Sequence, residues 1–352
     1  MKRNSSNPTA GLLYYELKKL CGVGAAIVFV VLMAAKLLTA YFYAPEQYDF
    51  STELYREYVD ILRGELTEDK QQYLHDEQKR LNDVLKMKAV MQDGYNRGVI
   101  TLEEFREYNT EYLRAEKQLP AFNAVYEKYE YFLTLEDKTP IFFYDLDTAE
   151  YLGDYGADVL FILFIIIFGL RLWDYDRLCG ISLMSAATPL SGPKRDNLRF
   201  AATAAVAVAG SVISFVPDIV SFLIRCGSGS LFMPLCSIAD FGGCPYNVNV
   251  LGYMLMMLGL RIIWSVSVCF MLGFVYKLIK NIYACIALSA AVIFLPTLTC
   301  GMLPQAARTV LAGAQLTGYA VVDGTVLLSV CAAVITSVVF WLLCRRLKKS
   351  RE

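Results

Sequence analysis

One histidine, His75, is all the imidazole that this 352-residue chain has. A Ser-His-Asp or Cys-His set would have to use it, and it lies among Leu74, Asp76 and Glu77 on a charged stretch, poor surroundings for a triad. The ten cysteines include no CxxC pair and no His/Cys cluster at zinc spacing, and HExxH is absent. No Gly-x-x-x-x-Gly-Lys-[Ser/Thr] occurs, so the chain binds no ATP through a P-loop. Charge is scarce too. Asp, Glu, Lys and Arg make up 19% of the residues, against about 25% in ordinary soluble domains. Hydrophobic residues make up 56%, and the mean hydropathy is +0.41. These absences predict no enzyme, no metal centre and no cofactor.

The charge that is present is unevenly placed. Residues 44–158 carry 26 acidic against 13 basic side chains, and the other 237 residues carry 8 against 20. A formal net charge of −1 therefore hides two environments, one at −13 and one at +12. A single soluble domain and a disordered chain are excluded. So is a nucleic-acid binder, because the basic part is also the apolar part.

A membrane-crossing helix needs about 20 mostly apolar residues. Six stretches qualify, approximately 22–43, 156–173, 200–224, 250–276, 282–300 and 325–344. The second holds Val159–Phe168, ten residues with no polar side chain. In lipid every backbone group must be satisfied internally, so the spans are expected to be helices in a bundle. Lys2, Arg3, Lys18 and Lys19 precede the first span; Arg171, Arg177, Lys194, Arg195 and Arg199 lie between the second and third. Lys277 and Lys280 lie between the fourth and fifth, and Arg345-Arg346-Leu347-Lys348-Lys349 ends the last. All four groups fall on one side of a six-span arrangement, which predicts a multi-pass cell-membrane protein with both termini cytoplasmic. A signal peptide is the competing reading of the first span. Its apolar run is too long for one, and no clear A-x-A site follows before Pro45.

The expected fold is all-α: a polytopic membrane protein of six transmembrane helices, with an extracytoplasmic, coiled-coil-like helical hairpin between spans one and two. Residues 1–20 form a cytoplasmic amphipathic segment, 21–43 the first span and 44–155 the acidic outer domain. Spans two to six then occupy 156–352, ending in a basic cytoplasmic tail. In the outer domain, Thr101-Leu102-Glu103-Glu104 reads as a capping box and Arg97-Gly98 as the end of the preceding helix. Phe105, Tyr108, Tyr112, Ala115, Leu119, Phe122, Tyr126, Tyr129 and Leu133 form a packing seam, with Pro120 expected to kink or restart the helix. Leu74, Leu81, Val84, Leu85, Met91 and Tyr95 face it from one opposing helix over about 68–96. Asp145-Leu146-Asp147 starts like a calcium loop, but the positions that follow do not fit.

Function is expected at the turn between spans two and three. Asp174 and Asp176 end a helical extension, Gly180 follows, and Thr188-Pro189, Gly192, Lys194 and Arg195 lead into span three. A short elbow of this kind, about 174–198, suits docking by another protein. Within the apolar slab lie Asp218 and Arg261, roughly 8 and 16 Å below the outer ends by helical rise. They are read either as a charge pair locking two helices or as the lining of a polar route. Lys36, late in the first span, is expected to snorkel to the outer interface. Cys226, Cys236 and Cys244 share the segment after span three, so any disulfide among them leaves one thiol over.

The elbow resembles a motif of the ABC-2-type transporter permeases. Asp176 and Gly180 match its acid-x-x-x-Gly part, and Thr188-Pro189 and Gly192 with Lys194 and Arg195 match its turn, with Pro193 interrupting the usual Gly-Arg adjacency. Pro234–Phe241 with Pro245-Tyr246-Asn247, then Lys280-Asn281 and Leu295-Pro296, are similar to later segments of related bacterial permeases. Gly11–Leu20 looks like the family's amphipathic interfacial helix. The resemblance spans about 240 residues, everything but the outer domain. It implies a separate ABC ATPase subunit docked on the elbow, a second permease subunit facing this one, and re-entrant helices at about 300–324. The last point agrees with the apolar, Gly- and Pro-broken composition of that stretch. The expected function is the permease subunit of an exporter. The competing expectation is a membrane receptor or scaffold whose coiled-coil outer domain binds a partner.

Overall fold

The long apolar runs and the 3-4 patterns both fold as helix. The computed structural model describes residues 8–19, 23–41, 47–135, 138–153, 159–180, 193–298, 304, 307, 309–310 and 317–349. Its helices are α1 Pro8–Lys18, α2 Val23–Tyr41, α3 Thr52–Leu62, α4 Glu68–Lys86, α5 Lys88–Asn96, α6 Leu102–Leu133 and α7 Leu146–Gly153. They continue as α8 Val159–Leu178, α9 Pro193–Cys226, α10 Val250–Ile279, α11 Ile282–Leu298, α12 Thr317–Val322 and α13 Val326–Lys349. Two short strands, β1 Gly64–Glu65 and β2 Ile141–Phe142, pair antiparallel with Gly64 opposite Phe142. The chain divides into an apolar unit (Met1–Tyr43, Asp154–Ile224, Gly252–Glu352) and an acidic unit (Ala44–Gly153, Arg225–Leu251).

Among the described residues three helices are long and apolar enough to cross a membrane: Arg195–Cys226, Val250–Ile279 and Val326–Leu347. Shorter apolar helices cover Ala26–Leu38 and Ile282–Leu295. α8 carries its apolar run straight into Arg171, Asp174, Asp176 and Arg177 without a break, so one helix is half greasy and half charged. Val208, Val212, Val216, Val220 and Ile224 are all exposed at four-residue spacing on α9. Leu327, Val334, Val338 and Leu342 are exposed along α13. Stripes this apolar suit contact with lipid, since soluble surfaces rarely carry them.

α8 supplies the centre of this unit's core. Phe161, Phe164, Ile165, Ile166, Phe168 and Leu170 pack with Ala207 of α9, Val268, Met271, Leu272 and Val275 of α10, and Cys285 and Ile293 of α11. Lipid offers no hydrophobic gain between helices, so close packing by small residues has to hold them. Gly210 lies under the Phe164 ring, and a Cβ on Gly273 would come within 2.7 Å of both Phe200 and Trp173. Polar side chains add cross-links: Ser211 Oγ lies 2.8 Å from Ser265 Oγ, and the Trp264 indole donates to Ser329 Oγ at 2.8 Å.

The acidic unit is built on α6. Ala115, Ala121, Phe122, Val125, Tyr129 and Phe132 are buried along it, against Tyr55, Tyr58, Val59 and Leu62 of α3 and Leu74 and Leu81 of α4, and Tyr112 is buried nearer its start. The sequence expectations are met in part. Of the two effects expected of Pro120, a restart is absent: α6 runs without interruption from Leu102 to Leu133. The seam holds through Phe122, Tyr126 and Tyr129 and is lost at its end, where Phe132 is buried and Leu133 is 55% exposed. A 3.6-residue turn cannot hold one residue pattern in register over nine turns. The single helix expected over 68–96 is two, α4 and α5, meeting at Met87. The caps are as read: Thr101 and Glu104 form a reciprocal capping box, and Gly98 takes φ +72° at the end of α5. That left-handed conformation carries no Cβ penalty for glycine.

A buried ion pair crosses this core. Lys128 Nζ lies 2.8 Å from Asp145 and donates to the Phe143 carbonyl at 3.1 Å, while the Tyr55 hydroxyl donates to Asp145 at 2.8 Å. Asp145, the first residue of the discarded calcium-like run, is thus a structural partner. His75 lies edge-on to the Tyr126 and Tyr129 rings, a packing position.

Candidate functional site

The elbow's first half is set by where α8 stops. Nothing between Arg171 and Cys179 disfavours helix, so Asp174 and Asp176 fall within its last turns. Gly180 ends it at φ +68°, its N–H donating to the Arg177 carbonyl at 3.1 Å. A Cβ there would meet nothing within 4 Å, so the backbone angle, not space, favours glycine.

Two residues apart on a helix, the two carboxylates face different neighbours. Asp174 is fully buried; Tyr276 of α10 donates to it at 2.6 Å and Arg177 lies 3.3 Å away. Asp176, 5% exposed, accepts from both Arg195 and Arg199 of α9, and Lys19 lies 3.1 Å from its other oxygen. Lys19 also pairs with Glu16 at 2.6 Å, and Arg199 approaches Glu16 at 3.8 Å. One aspartate thus gathers three cations from two other chain segments, with Glu16 as the second anion. Beside it Lys277 pairs with Asp196 at 2.7 Å and lies over the Trp173 and Phe200 rings. Arg177 donates to the Lys280 carbonyl where the chain turns from α10 into α11. Ions this buried hold only while paired; removing one partner of such a pair costs about 3–5 kcal/mol.

The elbow's second half is only partly described. Thr188, Pro189 and Gly192 lie outside the described residues. Lys194 stands in the first turn of α9, and Arg195 one residue on reaches Asp176. The sequence reading missed Glu16, Lys19, Arg199 and Tyr276 as members of the cluster. It had counted the three charged ones among interfacial residues or sidedness markers. The Glu16/Lys19 i,i+3 spacing was the available signal.

The intramembrane charges are brought together. Arg261 Nη1 lies 2.9 Å from Asp218, so of the two readings of these charges the pair is the one seen. Lys36 is 8% exposed, pairs with Asp218 at 2.9 Å and donates to the Ser214 carbonyl at 2.8 Å. It therefore does not snorkel outward: a carboxylate within reach outweighs the route to the interface. Three helices, α2, α9 and α10, share this triad. The expected 300–324 re-entrant stretch is mostly outside the described residues. In what is described, Thr309 and Thr325 hydroxyls lie 2.9 Å apart, and Ala320 and Val321 of α12 are buried.

Among the described residues no group of three or more His, Cys, Asp or Glu side chains could hold a metal ion. What the described residues show is two groups of ion pairs, each linking side chains of several helices. No protein-family model, no curated protein and no solved structure matches the chain.

Proposed function

We propose that the chain is the membrane-spanning permease subunit of an ABC-2-type exporter, moving its substrate with ATP hydrolysed by a separate subunit. The observation that carries this reading is the ion cluster on Asp176. It ties the N-terminal helix α1 and the start of α9 to the end of α8, on either side of the Thr188–Gly192 turn. A protein docking on residues 188–192 would act between two helix ends that the cluster ties together. In this reading the chain crosses the membrane six times, with both termini and the 174–198 elbow cytoplasmic and the acidic unit outside. The Lys36–Asp218–Arg261 triad then holds α2, α9 and α10 together inside the bilayer, where an ion needs a partner. A second permease subunit faces this one across the route.

The test is nucleotide hydrolysis by the complex isolated with its ATPase. Replacing Thr188–Gly192 with a Gly/Ser turn of equal length is expected to abolish ATPase association while the permease still folds and elutes as a single species. Unchanged association and hydrolysis would remove the elbow from the coupling path. A folded permease that never carries an ATPase would favour the receptor or scaffold.

A further inference from the structure

Between α5 and α6 the chain of the acidic unit doubles back on itself. The Tyr95 ring stacks on Phe105 at 4.7 Å, Lys88 Nζ lies 4.0 Å from the centre of the Tyr112 ring, and the Tyr108 hydroxyl donates to the Val84 carbonyl at 2.6 Å. Ile100 covers Gly94 so closely that a Cβ there would collide with it. The side of α5 turned to α6 is thus filled, yet no residue of this nine-residue helix is buried. Met87, Val90, Tyr95, Val99 and Leu102 are all exposed, Val90 at 64% and Val99 at 79%. Apolar exposure gathered on one short piece of chain marks a contact surface.

Charge separates this bend from the rest of the unit. Residues 86–106 carry four basic side chains, Lys86, Lys88, Arg97 and Arg106, and three acidic ones, Asp93, Glu103 and Glu104, a net of +1. The remainder of 44–158 carries 9 basic and 23 acidic side chains, a net of −14. A basic partner would be drawn to that remainder and not to the bend. A partner that is itself strongly acidic is repelled by the remainder and can approach only at the bend. A second copy of this chain is such a partner, and the bend is complementary to itself. Met87 N donates to the Asp83 carbonyl and Met91 N to the Met87 carbonyl, so helical hydrogen bonds reach from α4 into α5. Lys86, Val90 and Asp93, spaced four and three residues apart, therefore share one side. Lys86 is exposed and has no ion pair among the described residues; Asp93 is exposed too, with only the surface residue Arg97 at 2.8 Å as its ion-pair partner among them. Two such helices laid antiparallel about a two-fold axis at Val90 set each Lys86 opposite the partner's Asp93.

We infer that the α5–α6 bend is a contact between two copies of this chain: it meets the same bend of a second copy, with Val90 on the axis and a Lys86–Asp93 ion pair on either side. The contact asks only for two copies in one membrane, so it stands or falls independently of the exporter reading. Its ion pairs are exposed and screened by salt, which makes it a weak and reversible contact.

The test replaces Val90 of the full chain, in its own membranes, by p-benzoylphenylalanine, a photocrosslinking residue that leaves the ten cysteines untouched. Irradiation is expected to give a species of twice the chain's mass, in which residue 90 of one copy is joined to the 86–106 segment of the other. The same probe at Asp76, exposed on α4, should give none. Lys86→Glu or Asp93→Lys alone sets like charges against each other on both sides of the axis and should lower the yield by about tenfold. Co-expressed, the two variants restore both ion pairs between unlike copies, and the yield should recover as a mixed dimer, which variants that merely failed to fold could not produce. No dimer from position 90, a yield indifferent to either charge variant, a loss that mixing does not recover, or cross-links to lipid or to a different protein in place of a second copy would overturn the inference.

Discussion

Replacing Lys128 by methionine keeps most of the unbranched apolar stem and removes the ammonium with its hydrogen bonds. The ammonium it removes is buried, 2.8 Å from Asp145 and 3.1 Å from the Phe143 carbonyl. Asp145, 7% exposed, would keep the Tyr55 hydroxyl as a donor but lose its counter-ion. Breaking such a pair from one side costs about 3–5 kcal/mol, because a carboxylate stays buried without compensation. At about 1.4 kcal/mol per tenfold, the opened population of the acidic unit should rise by roughly two to three and a half orders of magnitude. The assay is native-state proteolysis of the full chain in detergent, with cleavage sites mapped by mass spectrometry. When opening and closing outpace cleavage, the rate follows the opened population. Removing both charges, as Lys128→Met with Asp145→Leu, takes away the uncompensated ion as well as the pair. The double variant should therefore be cleaved more slowly than Lys128→Met alone. If Lys128→Met is cleaved no faster than the unaltered chain, or the double variant is cleaved as fast as two additive losses require, the pair does not hold the unit together.

Other consequences follow from named contacts. Glu77 accepts from Arg80 and from the Tyr58 hydroxyl at 2.8 and 2.9 Å, and Arg80 first, then Tyr58, hold its carboxyl below its ordinary value of 4.5 against an opposing push from burial. A depressed folded value means the contribution is present above pH 4.5 and lost as pH falls through the folded value, so the acidic unit should weaken on acidification and Glu77→Gln should flatten that part of the proteolysis-versus-pH profile. Gly273→Ala places a Cβ within 2.7 Å of Phe200 and Trp173 and should destabilise the apolar unit by about 1–3 kcal/mol, seen as a lower melting temperature in detergent. Asp218→Asn leaves Lys36 and Arg261 without the carboxylate they share and should lower both melting temperature and membrane yield; adding Lys36→Met should recover part of the loss, and no recovery would mean that Lys36 gains nothing from Asp218.

Local rules of the sequence carried the acidic unit a long way. The capping box at Thr101 and Glu104 and the glycine stop at Gly98 depend on neighbours a few residues apart, and both appear as read. The seam was legible as far as Tyr129, after which helical drift exchanged Leu133 for Phe132. Pairings between distant segments were much less legible. Lys36 and Asp218 are separated by 182 residues, and Lys128 and Asp145 meet only because the chain after α6 folds back onto that helix. Asp218 and Arg261 were singled out by the cost of charge in an apolar run, but their contact needed the helices set side by side. At the elbow the sequence located the acids and the glycine, while the cations that surround Asp176 were indistinguishable from positive-inside residues until α1 and α9 were placed against α8. The hydrogen bonds from Tyr131 and Lys138 to the Cys236 and Cys244 carbonyls left no mark in spacing or composition.

The central claim is that this chain works as the membrane half of an ATP-driven exporter, and its most direct test is what stays bound to it. The unaltered chain, extracted from its own cells in mild detergent and purified as a single well-folded species, should carry a P-loop ATPase at stoichiometric amount by mass spectrometry. The same preparation from a strain with the Thr188–Gly192 turn replaced should carry none. A folded, monodisperse preparation with no P-loop ATPase in either case would contradict the account.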